Sequence, residues 1–207
     1  MELELINWRE YNPNPVIGVD EVGRGCLAGP VYAGAAIIDD SLLTTTESRE
    51  VESLLTDSKL LTPKKRDLLS EQIKKYYKIS IAWATEDEIE KINIFQASLL
   101  AMKRAVEGLG VNGGHILVDG KFPIPNMPHF TQTPLIKGDL RAAPISAAAI
   151  CAKVARDQKM MELARKYPNY GFEKHKGYAT EIHRKAIKEW GPTPVHRKTF
   201  EGVREFC

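Results

Sequence analysis

The sequence predicts an α/β fold whose mixed sheet opens as a hairpin and continues through helical crossovers. Three observations predict it. Two apolar runs, "VIGVDE" and "GPVYAGAAII", stand a short link apart, which favours antiparallel pairing. Later apolar runs alternate with helix-length amphipathic stretches. The 207 residues are 43% hydrophobic and 27% charged, which suffices for a core and is not a disordered composition.

Each element has its own local reason. The first strand spans 16–21, and the second ends near Ile38. Residues 39–56 are polar with apolar spots and read as a loop with a short helix. Thr62 is a good N-cap and Pro63 suits the first helical position, so a helix runs from there to about Tyr77. In "KISIAWAT", Ile79, Ile81 and Trp83 alternate as in a strand. Helical sequence follows over about 86–108, in two pieces around 92–94. "HILVDG" is a short buried strand ending in Asp119, and "PLIKGD" is a further strand candidate. A long helix covers 144–166, and a last one lies in "YATEIHRKAIKEWG" with Gly191 past its end.

Bulk charge says little, since the formal net is +2. Its distribution says more. Residues 151–207 carry thirteen Lys and Arg against seven Asp and Glu, whereas the rest carries sixteen against twenty. That asymmetry suits a polyanion held against an acidic centre, and equally a solvated basic helix. The three cysteines are odd in number and form no CxxC, which argues for a reducing compartment. There is no signal-peptide pattern and no apolar run of membrane-spanning length, so the expected location is the cytoplasm, with no membrane partner.

Four acids stand in unexpected places. Asp20 and Glu21 adjoin at the tip of a buried strand, and Asp119 ends another. On the long helix, Ile150, Val154, Asp157 and Met161 share one face, which puts Asp157 on an apolar stripe. Each alone is equally at home as a turn cap or a buried ion pair. Together they suggest a metal site: oxygen-only ligands select magnesium or manganese, and no His or Cys pairing supports zinc. A pair of such ions suits phosphoryl chemistry. One wrinkle is that Asp20 and Glu21 point to opposite faces of an ideal strand, so both reach one site only if the strand ends or bends there.

Ordered blocks then carry a resemblance. "GVDEVGRGCLAGPV", "TDSK", "LVDG", "KGD", "AAAICAKVARD", "YGFEKHKGYAT" and "GPTPVHRKTF" resemble bacterial ribonuclease HII, over about residues 16–203. The resemblance implies a ribonuclease H-like mixed β-sheet flanked by helices. It implies one catalytic domain over 1–207, with about 167–207 as a basic helical part over the substrate groove. The implied activity is two-metal endonucleolytic cleavage of the RNA strand of RNA–DNA hybrids. It includes nicking 5′ of a single ribonucleotide in duplex DNA, leaving a 3′-hydroxyl and a 5′-phosphate. The partners would be those nucleic acids, the cofactor Mg2+ or Mn2+, and the enzyme a monomer.

By the same resemblance the metal-binding and catalytic residues are Asp20, Glu21, Asp119 and Asp157. Substrate would be held by Gly23, Arg24, Gly25, Tyr178 and Lys59, the glycines letting backbone inspect a 2′-hydroxyl and the tyrosine stacking on the sugar. The basic residues at 174–176, 183–185 and 196–198 would hold phosphates. Cys26, Leu60, Ala149 and Thr199 depart from the family pattern, with Ser146 standing earlier than the usual serine. The sister ribonuclease HIII usually has lysine where Arg24 stands, and an N-terminal extension. A junction resolvase would need no reader of the 2′-hydroxyl, and a silent hybrid-binding protein would not keep all four acids.

Overall fold

The computed structural model describes residues 4–38, 40–55 and 62–207. Strands β1 (Val16–Val22), β2 (Val31–Ile38) and β3 (Tyr77–Ala84) form an antiparallel meander. Strands β4 (Gly114–Asp119) and β5 (Phe130–Leu135) pair in parallel on the far side of β1. The order across the sheet is therefore β3-β2-β1-β4-β5, a hairpin first and crossovers later, as the sequence predicts.

Helices α1 (Thr46–Leu55), α2 (Pro63–Tyr76), α3 (Glu86–Gly108) and α4 (Ala143–Lys166) cover the two faces. Helix α4, with α1 and α2, packs on the face that carries Val16, Ala36 and Leu117. Helix α3 packs on the face that carries Val19, Ala35 and Val118. Helix α4 can lie close to the sheet because Gly18 and Gly34 face it: a Cβ at either would overlap the backbone of Pro144 or Ala148. Buried Ser146 donates to the Leu55 carbonyl and ties α4 to the end of α1.

The signal at the start of α2 operates as expected. Thr62 accepts the Lys65 N–H, with Pro63 at the first helical position. Thr85 and Glu88 form a reciprocal capping box at the start of α3. Helix α3 breaks at Asn93 (φ 65°, ψ 164°), whose Oδ1 accepts the N–H groups of Phe95 and Gln96 and so caps the second piece. One expectation needs correction. The fifth strand is 130–135 rather than 134–139, because Lys137 turns left-handed (φ 56°) and a 3-10 turn, Gly138–Leu140, follows. Pro134 is tolerated in β5 because that strand lies at the sheet edge.

After α4 come α5 (Phe172–His175) and α6 (Glu181–Trp190). They share a small core with Leu27, Ala28, Met160 and Leu163. Short bridges Cys26–Tyr178 and Ala28–His196 tie this part to the segment that follows β1.

Candidate active site

The acids converge where β4 stops short of β1. The two strands pair as far as Val19 opposite Val118, and β4 then ends at Asp119. Beyond that point β1 runs on to Val22, still paired with β2 but with its β4 side free. This resolves the wrinkle of opposite faces: β1 neither ends nor bends, but its neighbour does. Ligand oxygens of Asp20, Glu21 and Asp119 all lie within 4.8 Å of one another. Asp20 Oδ1 also accepts the Glu21 N–H at 2.7 Å, and Asp119 Oδ1 accepts the Gly138 N–H at 2.7 Å.

Like charges at this distance repel, and burial adds to the cost. Burial pushes the Asp20 carboxyl well above the usual range, and Asp119, Glu21 and Asp139 push it further. Glu21 is raised by burial, against the opposing pull of Arg24, whose Nη1 lies 3.6 Å from Glu21 Oε1. Asp119 is raised by burial and by Asp139, against the Gly138 N–H. Without a counter-charge the cluster binds protons more readily than free carboxyls do; a divalent cation is what this donor set fits.

Asp157 is placed differently. It lies on α4 outside the 4.8 Å group, its side chain 21% exposed, with Lys153 Nζ at 2.6 Å and Arg66 Nη1 at 3.9 Å. The wholly buried charge on that stretch of helix is its neighbour Arg156. Met161, expected on the apolar stripe, is 40% exposed. The stripe is less distinct than the sequence suggests because α4 is rich in alanine and buries several faces.

An open groove of about 470 Å³ joins Asp20 and Glu21 to Asp139, Arg66, Lys153 and Tyr178. Tyr178 is 41% exposed, its ring 5.7 Å from Lys153 Nζ. Gly23 is left-handed (φ +87°), and a Cβ there would overlap the Arg156 guanidinium. Gly25 faces open space, so packing does not require a glycine there. Arg24 lies over the Phe95 ring at 5.5 Å. Lys59 and Leu60 fall outside the described residues.

The basic clusters divide. Lys174, Arg184, Lys185 and Lys198 are exposed, but His175, His183, His196 and Arg197 are buried. Those four are therefore interior residues, not phosphate contacts. Sequence reasoning missed Asp139 and Arg66. Asp139 reaches the site only because β5 pairs with β4 and the turn after it folds back to Asp119, a register the sequence does not display.

Fold and acid cluster define a nuclease of the ribonuclease H type. The ribonuclease H2 of Pyrococcus horikoshii superposes with a TM-score of 0.70 at 26% identity, over 92% of this chain and 96% of that one. At 23% identity, the ribonuclease HII in the Archaeoglobus fulgidus complex with PCNA shares the fold, with a TM-score of 0.75 over 92% of this chain and 97% of that one. The Ribonuclease HII family model matches residues 17–203. Ribonuclease HII of Natranaerobius thermophilus is 46% identical over 189 residues, 91% of each chain. That of Bordetella avium is 44% identical over 206 residues, 99% of this chain and 97% of the relative. The chain belongs to the ribonuclease HII family, and is thus a divalent-metal-dependent endonuclease that hydrolyses the RNA strand of RNA–DNA hybrids. No helix among the described residues is long and apolar enough to cross a membrane.

Proposed function

We propose that this enzyme, beyond cutting hybrids, nicks duplex DNA on the 5′ side of a single ribonucleotide and leaves a 3′-hydroxyl and a 5′-phosphate. The observation that carries the reading is the triple carboxylate cluster beside a turn whose Gly25 has no packing reason to be glycine. Asp20, Glu21 and Asp119 would hold the divalent ions, Mg2+ or Mn2+ and two in the substrate complex, with Asp157 recruited to them. Such ions supply positive charge against the scissile phosphate and make an attacking water more acidic.

The remaining work falls to the chain itself. Lys153 and Arg66 line the groove as cations able to hold a phosphate. The 23–25 turn lets backbone approach the ribose without an intervening side chain, and Tyr178 offers a ring face to the next sugar. Exposed Lys174, Arg184, Lys185 and Lys198 give sequence-independent, salt-sensitive affinity. Lys59, in "DSK", would be a further phosphate contact. We place the enzyme in the reducing cytoplasm, acting as a monomer and as one catalytic domain.

The test is a DNA duplex carrying one ribonucleotide, incubated with Mg2+ or Mn2+ and mapped to the nucleotide. A single nick 5′ of the ribonucleotide, absent from an all-DNA control, is expected. Cutting only of longer RNA tracts would overturn the junction specificity.

A further inference from the structure

Two wholly buried arginines, Arg156 and Arg197, bond backbone carbonyls and no carboxylate among the described residues. Arg197 directs every side-chain nitrogen into one short segment. Its Nε donates to the Gly29 carbonyl at 2.9 Å, Nη1 to Arg24 at 2.8 Å and Nη2 to Gly23 at 2.8 Å. Arg156 joins two segments next to it, donating to Ala28 and Pro30 in one and to Lys176 in the other. A buried charge without a counter-ion is costly, and three charge-assisted bonds to fixed acceptors are what offset it. Burial lowers the Arg197 guanidinium to about 10, so it is still charged at neutral pH.

We infer that Arg197 is a positioning residue for substrate selection: by holding the Gly23 and Arg24 carbonyls inward, it fixes the N–H groups of Arg24 and Gly25 outward as paired donors for the ribose. The inference rests on the sugar-reading role proposed above for the 23–25 turn. In a trans peptide the N–H points opposite to the C=O. These peptides are trans, the cis bonds among the described residues standing before Pro13 and Pro15. An inward Gly23 carbonyl therefore turns the Arg24 N–H out, and an inward Arg24 carbonyl turns the Gly25 N–H out. Arg24 and Gly25 are both exposed, and neither N–H has a partner among the described residues. The Arg197 N–H also donates to the Leu27 carbonyl at 2.8 Å, so one residue holds the segment at several points. Lysine cannot reproduce three bonds fixed in one planar fork, nor can glutamine.

The test uses Arg197→Lys and Arg197→Gln in the full chain. For each, kcat and KM are measured on the duplex with one ribonucleotide, well below the unfolding midpoint. A positioning role predicts a kcat loss of roughly 10- to 100-fold. KM, governed by phosphate contacts, should change less than about threefold. A merely structural role lowers the midpoint and leaves kcat alone, and that result overturns the inference.

A second measurement uses the wild-type enzyme with Ca2+ in place of the catalytic ion. Backbone amides of Arg24 and Gly25 should exchange hydrogen fast in the free protein. They should slow on binding the ribonucleotide-containing duplex, and not on binding an all-DNA duplex. That protection alongside folded, fully active Arg197 variants overturns the role of Arg197 and leaves the sugar-reading turn standing. Fast free exchange with no protection removes the turn's role itself. If neither variant folds, slow exchange in the free protein overturns the outward geometry.

Discussion

Mild acid should destabilise this protein through two histidines in its C-terminal part. His183 Nδ1 lies 2.9 Å from the Tyr178 carbonyl and must donate to it. His196 Nδ1 lies 2.9 Å from the Thr193 N–H and must accept from it. The two Nε2 atoms stand 3.0 Å apart, so His196 donates to His183 and both rings are neutral. A proton on either ring sets one donor against another. Burial is the main cause that lowers both to about 4 from 6.5. His175, stacked on His183 at 4.4 Å, and Arg184 disfavour charge on His183 further.

The sign follows. Folded values lie below unfolded ones, so the stabilisation is complete above about pH 6.5 and is lost as pH falls toward 4. A gap of that size is worth about 3 kcal/mol for the first ring, and less for the second because they share a bond. That is a large fraction of the ~5–15 kcal/mol that keeps a domain folded. The raised acids of the active site act in the opposite direction, since the folded state binds their protons more readily. Urea unfolding between about pH 7 and pH 5, in an Asp20→Asn, Asp119→Asn background, separates the two contributions. Histidine Hε1 resonances report the rings directly. If His183 and His196 titrate near 6.5 while the protein stays folded, the buried neutral pair is wrong.

The two turn glycines should behave differently. Gly23→Ala should cost about 2 kcal/mol or more of stability, because φ is +87° and the new Cβ meets Arg156. Gly25→Ala should leave the unfolding midpoint nearly unchanged, since the new Cβ meets nothing, yet lower cleavage about tenfold if that open space takes the ribose as proposed; full activity would remove that role. Asp20→Asn should abolish cleavage while raising the stability of the metal-free protein, because one repelling charge is gone; retained cleavage would refute the assignment. Tyr178→Ala should impair nicking at a lone ribonucleotide more than cutting of long hybrids, and equal losses in a side-by-side assay would argue against junction reading.

The hairpin, the cap at Thr62 and the break near Asn93 were legible because each depends on residues close in sequence. So were Asp20, Glu21 and Asp119, as acids at the ends of apolar runs. What the sequence hid is long-range. Arg197 looks like a phosphate contact in "HRK", because the carbonyls that surround it come from residues 23–29. The stripe pointed to Asp157 as the buried charge of α4, yet Arg156 is the wholly buried one, its acceptors lying in the segment after β1 and in the turn before Tyr178. Trp83 alternates as a core residue would, but is 48% exposed beside a hollow of about 560 Å³. Alternation shows which face a residue takes, not whether another element covers it.

Asp157 poses a last question, because its carboxylate is already partnered. Lys153 stands one helical turn away, with Nζ at 2.6 Å from Oδ1. A divalent ion that took that oxygen would share it with the ammonium group, and the two positive charges would repel each other. If Asp157 completes the metal site, Lys153 competes with the ion, and Lys153→Met should tighten Mn2+ binding in the absence of substrate. Side chains 25% and 21% exposed make this a weakly screened pair, worth about 1 kcal/mol, or roughly fivefold in affinity. Removing a cation near three acids tightens binding by simple field effects too, so the single variant does not decide. The deciding comparison repeats Lys153→Met in an Asp157→Asn background. If the gain vanishes there, it acted through the Asp157 oxygen. If it persists undiminished, Asp157 is no ligand in the free enzyme, and its work is to hold Lys153 over the groove where the phosphate arrives.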